Sequence, residues 1–268
     1  MQKKNILINL PCILTTSVLH HAIIMNTSTS LQLETVFSKL EPNLNKIIEE
    51  FHENDEFVFV PNFLTPEMVK LMERESLKLN DFIHRSFIPK HKKGGSVSRD
   101  TLFENTSIFR EIYESKSLLQ AVCKITKENL ELCPASDQHG CALYYYDQEG
   151  DFIGFHFDTS YYAGKRYTLL IGIVDESSCY LEYELFHKKD GVKIKKNRIK
   201  ISPGSLALFN GDKLRHRITP AKKDDLRVVL TLEFVSDSSM NPFLKFVSNM
   251  KDSIAYFGFK NVFKSAGK

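Results

Sequence analysis

Two histidines, an aspartate and an arginine set the chemistry open to this chain. Gly154-Phe155-His156-Phe157-Asp158-Thr159 puts an imidazole and a carboxylate two positions apart, and in an extended strand such side chains point to the same side. That is half of a metal site. A second histidine lies in Leu214-Arg215-His216-Arg217-Ile218-Thr219, and eleven residues later Arg227 opens another strand-like run. Two imidazoles and one carboxylate on one face of an octahedral ion leave three positions open, a donor set that suits ferrous iron. The competing view makes His156 and His216 core histidines with satisfied hydrogen bonds. The full ordered set, with strand context at every member, weighs against it.

With these residues in this order, the sequence resembles the Fe(II)/2-oxoglutarate-dependent dioxygenases. The resemblance implies His156, Asp158 and His216 as catalytic iron ligands. It also implies Arg227 as the partner of the distal carboxylate of 2-oxoglutarate, with O2 as the remaining co-substrate. A narrower resemblance runs from Lys93-Gly94-Gly95-Ser96-Val97-Ser98-Arg99 through Cys141-Ala142-Leu143-Tyr144-Tyr145-Tyr146 and Arg166-Tyr167-Thr168-Leu169-Leu170 to Ala255-Tyr256-Phe257-Gly258. Those stretches are similar to the bacterial group that halogenates or hydroxylates free amino acids, lysine above all. Halogenases of that group carry Gly where this chain has Asp158, so the resemblance implies hydroxylation, with release of succinate and CO2. It also implies that Arg99 grips a substrate carboxylate, a task that suits the two-pronged guanidinium.

Two departures limit the carry-over. The chain has no Trp, whereas the lysine halogenases are expected to set an indole near the substrate amine; Tyr256 or Phe257 could take that place. The acidic residues that a basic amino acid would need are also not evident, and an ammonium is not buried without a partner. Lysine therefore stands beside ornithine, arginine and uncharged amino acids as a candidate.

The elements that would position these residues are legible from periodicity. Apolar residues Leu33, Val36, Phe37, Leu40, Leu44, Ile47, Ile48 and Phe51 recur at helical spacing, broken by Pro42. Phe57-Val58-Phe59-Val60 reads as a strand, and Thr65-Pro66-Glu67 as a helix start running to about Asn80. Lys90 to Gly95 reads as a solvated basic loop, and Ser107 to Asn129 as one helix. Beyond Cys141 the pattern changes to strands joined by Gly, Pro, Asn and Asp turns. Arg166 to Val174 has the continuous apolar texture of a strand covered on both faces. Phe243, Phe246, Val247, Met250 and Ile254 return to helical spacing. The expected architecture is α+β, a double-stranded β-helix (jelly roll, cupin-like) with flanking helices. One domain is expected over residues 31–268, its core at about 141–236.

Composition excludes little and demands little. The 268 residues carry 36 basic and 33 acidic side chains, a net charge of +3, so nothing global calls for nucleic acid or a membrane. Lysines between Lys188 and Lys200 alternate with Val192, Ile194, Ile199 and Ile201, as expected of a solvated edge hairpin rather than a nucleic-acid surface. Five scattered cysteines without a Cys-x-x-Cys pair read as reduced thiols of a cytoplasmic protein. Lys3, Lys4 and the apolar run Ile6 to Leu19 resemble a secretory leader, but no Ala-x-Ala-like cleavage site follows. Residues 1–30 are therefore expected to be disordered or over-extended. The sequence reading is an amino-acid hydroxylase; a radical halogenase of the same group and a non-catalytic metal-binding jelly-roll sensor or scaffold are its alternatives.

Overall fold

The computed structural model describes residues 41–240. The expectations for residues 1–30, for the first part of the Leu31 to Phe51 helix and for the C-terminal helix with Tyr256 and Phe257 lie outside the described residues. Twelve strands form one antiparallel sheet that curls on itself: β1 (Phe57–Val60), β2 (His84–Ile88), β3 (Lys92–Val97), β4 (Glu131–Leu132), β5 (Cys141–Tyr146), β6 (Phe152–His156), β7 (Arg166–Glu176), β8 (Leu181–Leu185), β9 (Lys195–Ile199), β10 (Leu206–Asn210), β11 (Arg215–Ile218) and β12 (Leu226–Val235). Their order is β1-β10-β7-β12-β5-β3-β6-β11-β8-β9, with β2 on β3 and β4 on β12. This is the expected α+β jelly roll with flanking helices.

The period-two alternation of the strands sorts their side chains between two cores. On β12, Val228, Leu230, Leu232 and Phe234 face outward and pack with Tyr167, Leu169, Ile171 and Ile173 of β7. Five helices cover that face: α1 (Leu44–Glu53), α2 (Pro66–Leu77), α3 (Arg99–Asn105), α4 (Ile108–Tyr113) and α5 (Lys116–Thr126). They contribute Phe51, Met68, Met72, Leu102, Phe109 and Val122, among others, to the same cluster. The opposite parity, including Leu170 and Val229, turns into the curl and meets Ile153, Leu181, Tyr183, Phe209 and Ile218 there. Arg166 to Val174 is buried on both faces for this reason, as its apolar texture predicts.

Local chemistry explains where the helices begin. Pro66 sits in the first turn of α2 and the Thr65 hydroxyl accepts the Met68 N–H at 3.3 Å, capping the start that Thr65-Pro66-Glu67 predicts. The helix expected from Ser107 to Asn129 is instead two. Ser115 adopts an extended conformation and its hydroxyl accepts the Leu118 N–H, so it starts a new helix. Periodicity alone does not reveal such a break, because the apolar stripe continues through it.

The basic stretch Lys90 to Gly95 is not a solvated loop. Lys90 and His91 turn the chain and Lys92 opens β3, which lies inside the sheet between β5 and β6. Gly94 and Gly95 allow this, since a Cβ on Gly95 would fall 2.5 Å from the Ile83 side chain. Composition misled here because strand partners, not polarity, decide burial. Lys195–Ile199, by contrast, is the terminal strand of the sheet with exposed lysines, as expected. Among the described residues no helix is long and apolar enough to cross a membrane.

Candidate metal centre

Strands β6 and β11 are antiparallel neighbours in which His156 and His216 are register partners. Their imidazoles therefore leave adjacent strands on one side, with ring centroids 4.2 Å apart. Nδ1 of His156 lies 2.9 Å from the Gly154 carbonyl and Nδ1 of His216 lies 3.2 Å from the Leu214 carbonyl. A carbonyl only accepts, so the proton of each neutral ring sits on Nδ1 and Nε2 keeps its lone pair.

Asp158 joins them from beyond the strand. The ladder of β6 stops at His156, so the fully extended His-x-Asp geometry expected from sequence does not hold; Asp158 lies in the following loop. It still reaches the imidazoles, with Oδ1 3.2 Å from His156 Nε2 and Oδ2 3.8 Å from His216 Nε2. One ligand atom from each of the three residues lies within 4.8 Å of the others. The Thr168 hydroxyl of β7 donates to Asp158 Oδ2 at 3.0 Å. On the other side Gly211 permits a close backbone approach, since a Cβ there would lie 2.4 Å from the Asp158 carbonyl oxygen. The loop is pinned further by the Ser160 N–H, which donates to Asp212 Oδ1 at 3.1 Å.

Electrostatics put Asp158 and His216 in ligand form. Burial would raise the Asp158 carboxyl, but His216, His156 and Arg166 outweigh it and hold it well below the usual carboxylate range. Burial, reinforced by the neighbouring His156, pushes the His216 imidazole down to about 4. A neutral imidazole and an ionised carboxylate are what a divalent cation binds. The donor set and its rigid backing therefore fit an octahedral metal that needs open positions.

The three side chains open onto a cavity of about 90 Å³ inside the curl. The inward parity of β12 lines it from end to end as Arg227, Val229, Thr231 and Glu233. Arg227 is 2% exposed, with its guanidinium 4.9 Å above the Tyr146 ring directly across on β5. The structure thus brings four of the five residues singled out from sequence to one cavity. It does not bring Arg99 there. Arg99 begins α3 behind the cavity wall, where Nη1 donates to the carbonyls of Cys133 and Pro134 at 3.1 and 2.9 Å. Its guanidinium packs between the rings of Phe103 and Tyr113.

Sequence reasoning missed a second group of charges on the wall. Arg166 of β7 pairs with both Asp137 and Glu233, and all three are largely buried. Asp137 has further partners in the Tyr162 hydroxyl at 2.7 Å and the His139 N–H at 2.9 Å. A signal for two of them exists: Arg166 opens the apolar strand Arg166–Glu176, and Glu233 is the acid within the buried strand Leu226–Val235. Asp137, in a loop, gives none. Lys92 is also unforeseen, 2% exposed with its ammonium 5.3 Å from the ring of Tyr144, a cavity residue.

The family described as halogenase D matches residues 39–165, a span that includes His156 and Asp158 and stops short of His216 and Arg227. No match is found among curated proteins. Among solved structures, the chain is similar to a Pseudomonas putida prolyl-4-hydroxylase, with 14% identity over 73% of this chain and 100% of that one and a TM-score of 0.56. It is similar to the epimerase SnoN in complex with Fe3+, alpha ketoglutarate and nogalamycin RO, with 12% identity over 76% of this chain and 90% of that one and a TM-score of 0.62. It is also similar to a Trichoplax adhaerens prolyl hydroxylase in complex with a hypoxia inducible factor peptide, with 15% identity over 75% and 91% and a TM-score of 0.57. At these identities the likeness establishes the fold, a double-stranded β-helix with helices on one face.

Proposed function

We propose that the chain is an Fe(II)/2-oxoglutarate-dependent oxygenase that hydroxylates an unactivated C–H of a small substrate, a free amino acid such as lysine or another basic amino acid. The observation that carries this reading is the convergence of two Nε2 atoms and the Asp158 carboxylate on the cavity that also holds Arg227. His156, Asp158 and His216 would hold the iron and leave three positions for exogenous ligands. Iron and 2-oxoglutarate together supply the oxidising power, consuming O2 and releasing succinate and CO2.

The protein's part is binding and orientation. Arg227, buried and stacked on Tyr146, neutralises the distal carboxylate of 2-oxoglutarate with a guanidinium fork. The Gly154 and Leu214 carbonyls fix the ring orientation of the two histidines, and Thr168 fixes the carboxylate. Val229, Leu170 and Ile218 set an apolar patch among the charged and hydroxyl-bearing residues of the cavity wall. We place the protein in the cytoplasm, with a small molecule rather than nucleic acid as its partner.

The halogenase D match favours a second reading within the same chemistry, chlorination. Asp158 argues for hydroxylation, because its carboxylate occupies the position that a halide would take. The test is succinate formation by the purified protein with Fe(II), 2-oxoglutarate and a panel of free amino acids, with product masses read in the presence and absence of chloride. Hydroxylated product with either buffer supports the proposal; chlorinated product replaces it with the second reading. A protein that neither binds 2-oxoglutarate nor forms succinate would be a sensor or scaffold instead.

A further inference from the structure

The charges on the cavity wall do not balance. Arg166 is the guanidinium between two carboxylates, Asp137 and Glu233. The two acids are not equivalent. Asp137 also receives hydrogen bonds from Tyr162 and His139 and lies away from the cavity lining, whereas Glu233 lines the cavity and is 5% exposed. Glu233 Oε2 is buried against the Arg166 guanidinium, its ion-pair partner. The cluster sets two carboxylates against one guanidinium, and the carboxylate that lines the cavity is Glu233.

Register sets Glu233 close to the metal centre. Glu233 is the cross-strand partner of Thr168, the residue whose hydroxyl holds Asp158. Side chains so paired sit about 5 Å apart at Cβ. A group bound at Glu233 would therefore lie a few bonds of aliphatic chain from the metal ligands. Arg227 stands six residues back along the same face of β12, roughly 20 Å along the strand, so the two charged ends of the face do not compete for one ligand.

We propose that Glu233, held in place by Arg166 and backed by Asp137, is the specificity-determining residue that binds the side-chain ammonium of a basic amino acid and presents the neighbouring C–H bonds to the metal centre. The proposal rests on the oxygenase reading above and goes beyond it by naming the group that selects for a cation.

The experiment compares L-lysine with 6-hydroxynorleucine, which replaces the side-chain ammonium by a hydroxyl of similar size. Binding of each to the wild-type protein loaded with Mn(II) and 2-oxoglutarate is measured by calorimetry, and KM and kcat are measured with Fe(II). Lysine is expected to bind at least about tenfold more tightly than the hydroxyl analogue. Glu233→Gln should raise KM for lysine by at least about tenfold, leave KM for the analogue within about twofold, and retain 2-oxoglutarate affinity. Glu233→Asp should recover part of the loss. Equal binding of the two ligands by the wild-type protein overturns the proposal without any variant. So does an equal loss for both in Glu233→Gln, which would mark a structural role. In either case intact 2-oxoglutarate binding leaves the oxygenase reading standing, while absence of 2-oxoglutarate binding in the wild-type protein removes both.

Discussion

Replacing Gly211 by alanine tests whether the metal centre depends on a backbone fit outside its ligands. The added methyl would lie 2.4 Å from the Asp158 carbonyl oxygen and 3.0 Å from its Cβ. Contacts of that kind are not tolerated below about 3.0 Å, so one partner must retreat by about 0.6 Å. Gly211 cannot easily be that partner: its N–H donates to the Arg166 carbonyl at 2.8 Å, and it directly follows Asn210, which is buried at the end of β10. Asp158, in a loop beyond the end of β6, is the side that moves. Its carboxylate then loses its alignment with the two Nε2 atoms and with Thr168. Overpacking of this size costs roughly 1–3 kcal/mol, and disturbing the support of a metal ligand costs about 10–100-fold in metal affinity. Mn(II) affinity read by titration should fall by that factor. Gly191→Ala is the control: its φ of +72° penalises any side chain, yet nothing lies within 4 Å of it. It should lower stability by about 1 kcal/mol and leave Mn(II) binding unchanged. If Gly211→Ala binds Mn(II) as the wild-type protein does, the reasoning that this backbone contact sets the position of Asp158 is wrong.

Three further outcomes are expected. Arg227→Met should weaken 2-oxoglutarate binding by about 100-fold or more while Mn(II) affinity stays near the wild-type value, as calorimetry on the Mn(II) form would establish. Thr168→Val keeps the shape of a fully buried side chain but removes the hydrogen bond to Asp158 Oδ2. It should cost about 1 kcal/mol in thermal stability and about tenfold in metal affinity, and a larger loss of stability than of affinity would contradict the assignment. Burial would raise the Asp137 carboxyl, but Arg166, His139 and Tyr162 outweigh it and lower it. Its folded pKa lies below its unfolded value, so its contribution to stability is complete above about pH 4 and is lost as acid protonates it. Denaturation curves of Asp137→Asn should therefore differ most from wild type near neutral pH and converge with it in acid.

Much of the site could be read along the chain because its members lie in strands with strong apolar patterns. His156, His216 and Arg227 each sit at or beside a run whose alternation marks a strand, and the order of the donors narrows the chemistry before any coordinates are known. The resemblance assigns Arg99 to the substrate, a role the structure leaves untested; its guanidinium meets two carbonyls and two aromatic rings behind the wall. What failed had a physical reason in each case. Lys92 and Gly94-Gly95 looked like solvent-exposed punctuation and are instead an interior strand. Glu233 was visible as a lone acid in a buried strand, but its significance depends on Arg166 and Asp137, which are distant in sequence.

By itself the sequence determined the donor types, the strand and helix texture and the two-sided burial of β7, since these follow from side-chain chemistry and local periodicity. Tertiary structure alone decided which side of the curl each strand face meets and that His156 and His216 are register partners. It also decided that Gly211 lets the Asp158 backbone close on the site and that two acids share one arginine at the cavity wall. Those relations join residues tens of positions apart through pairing and packing, and no local pattern encodes the partner.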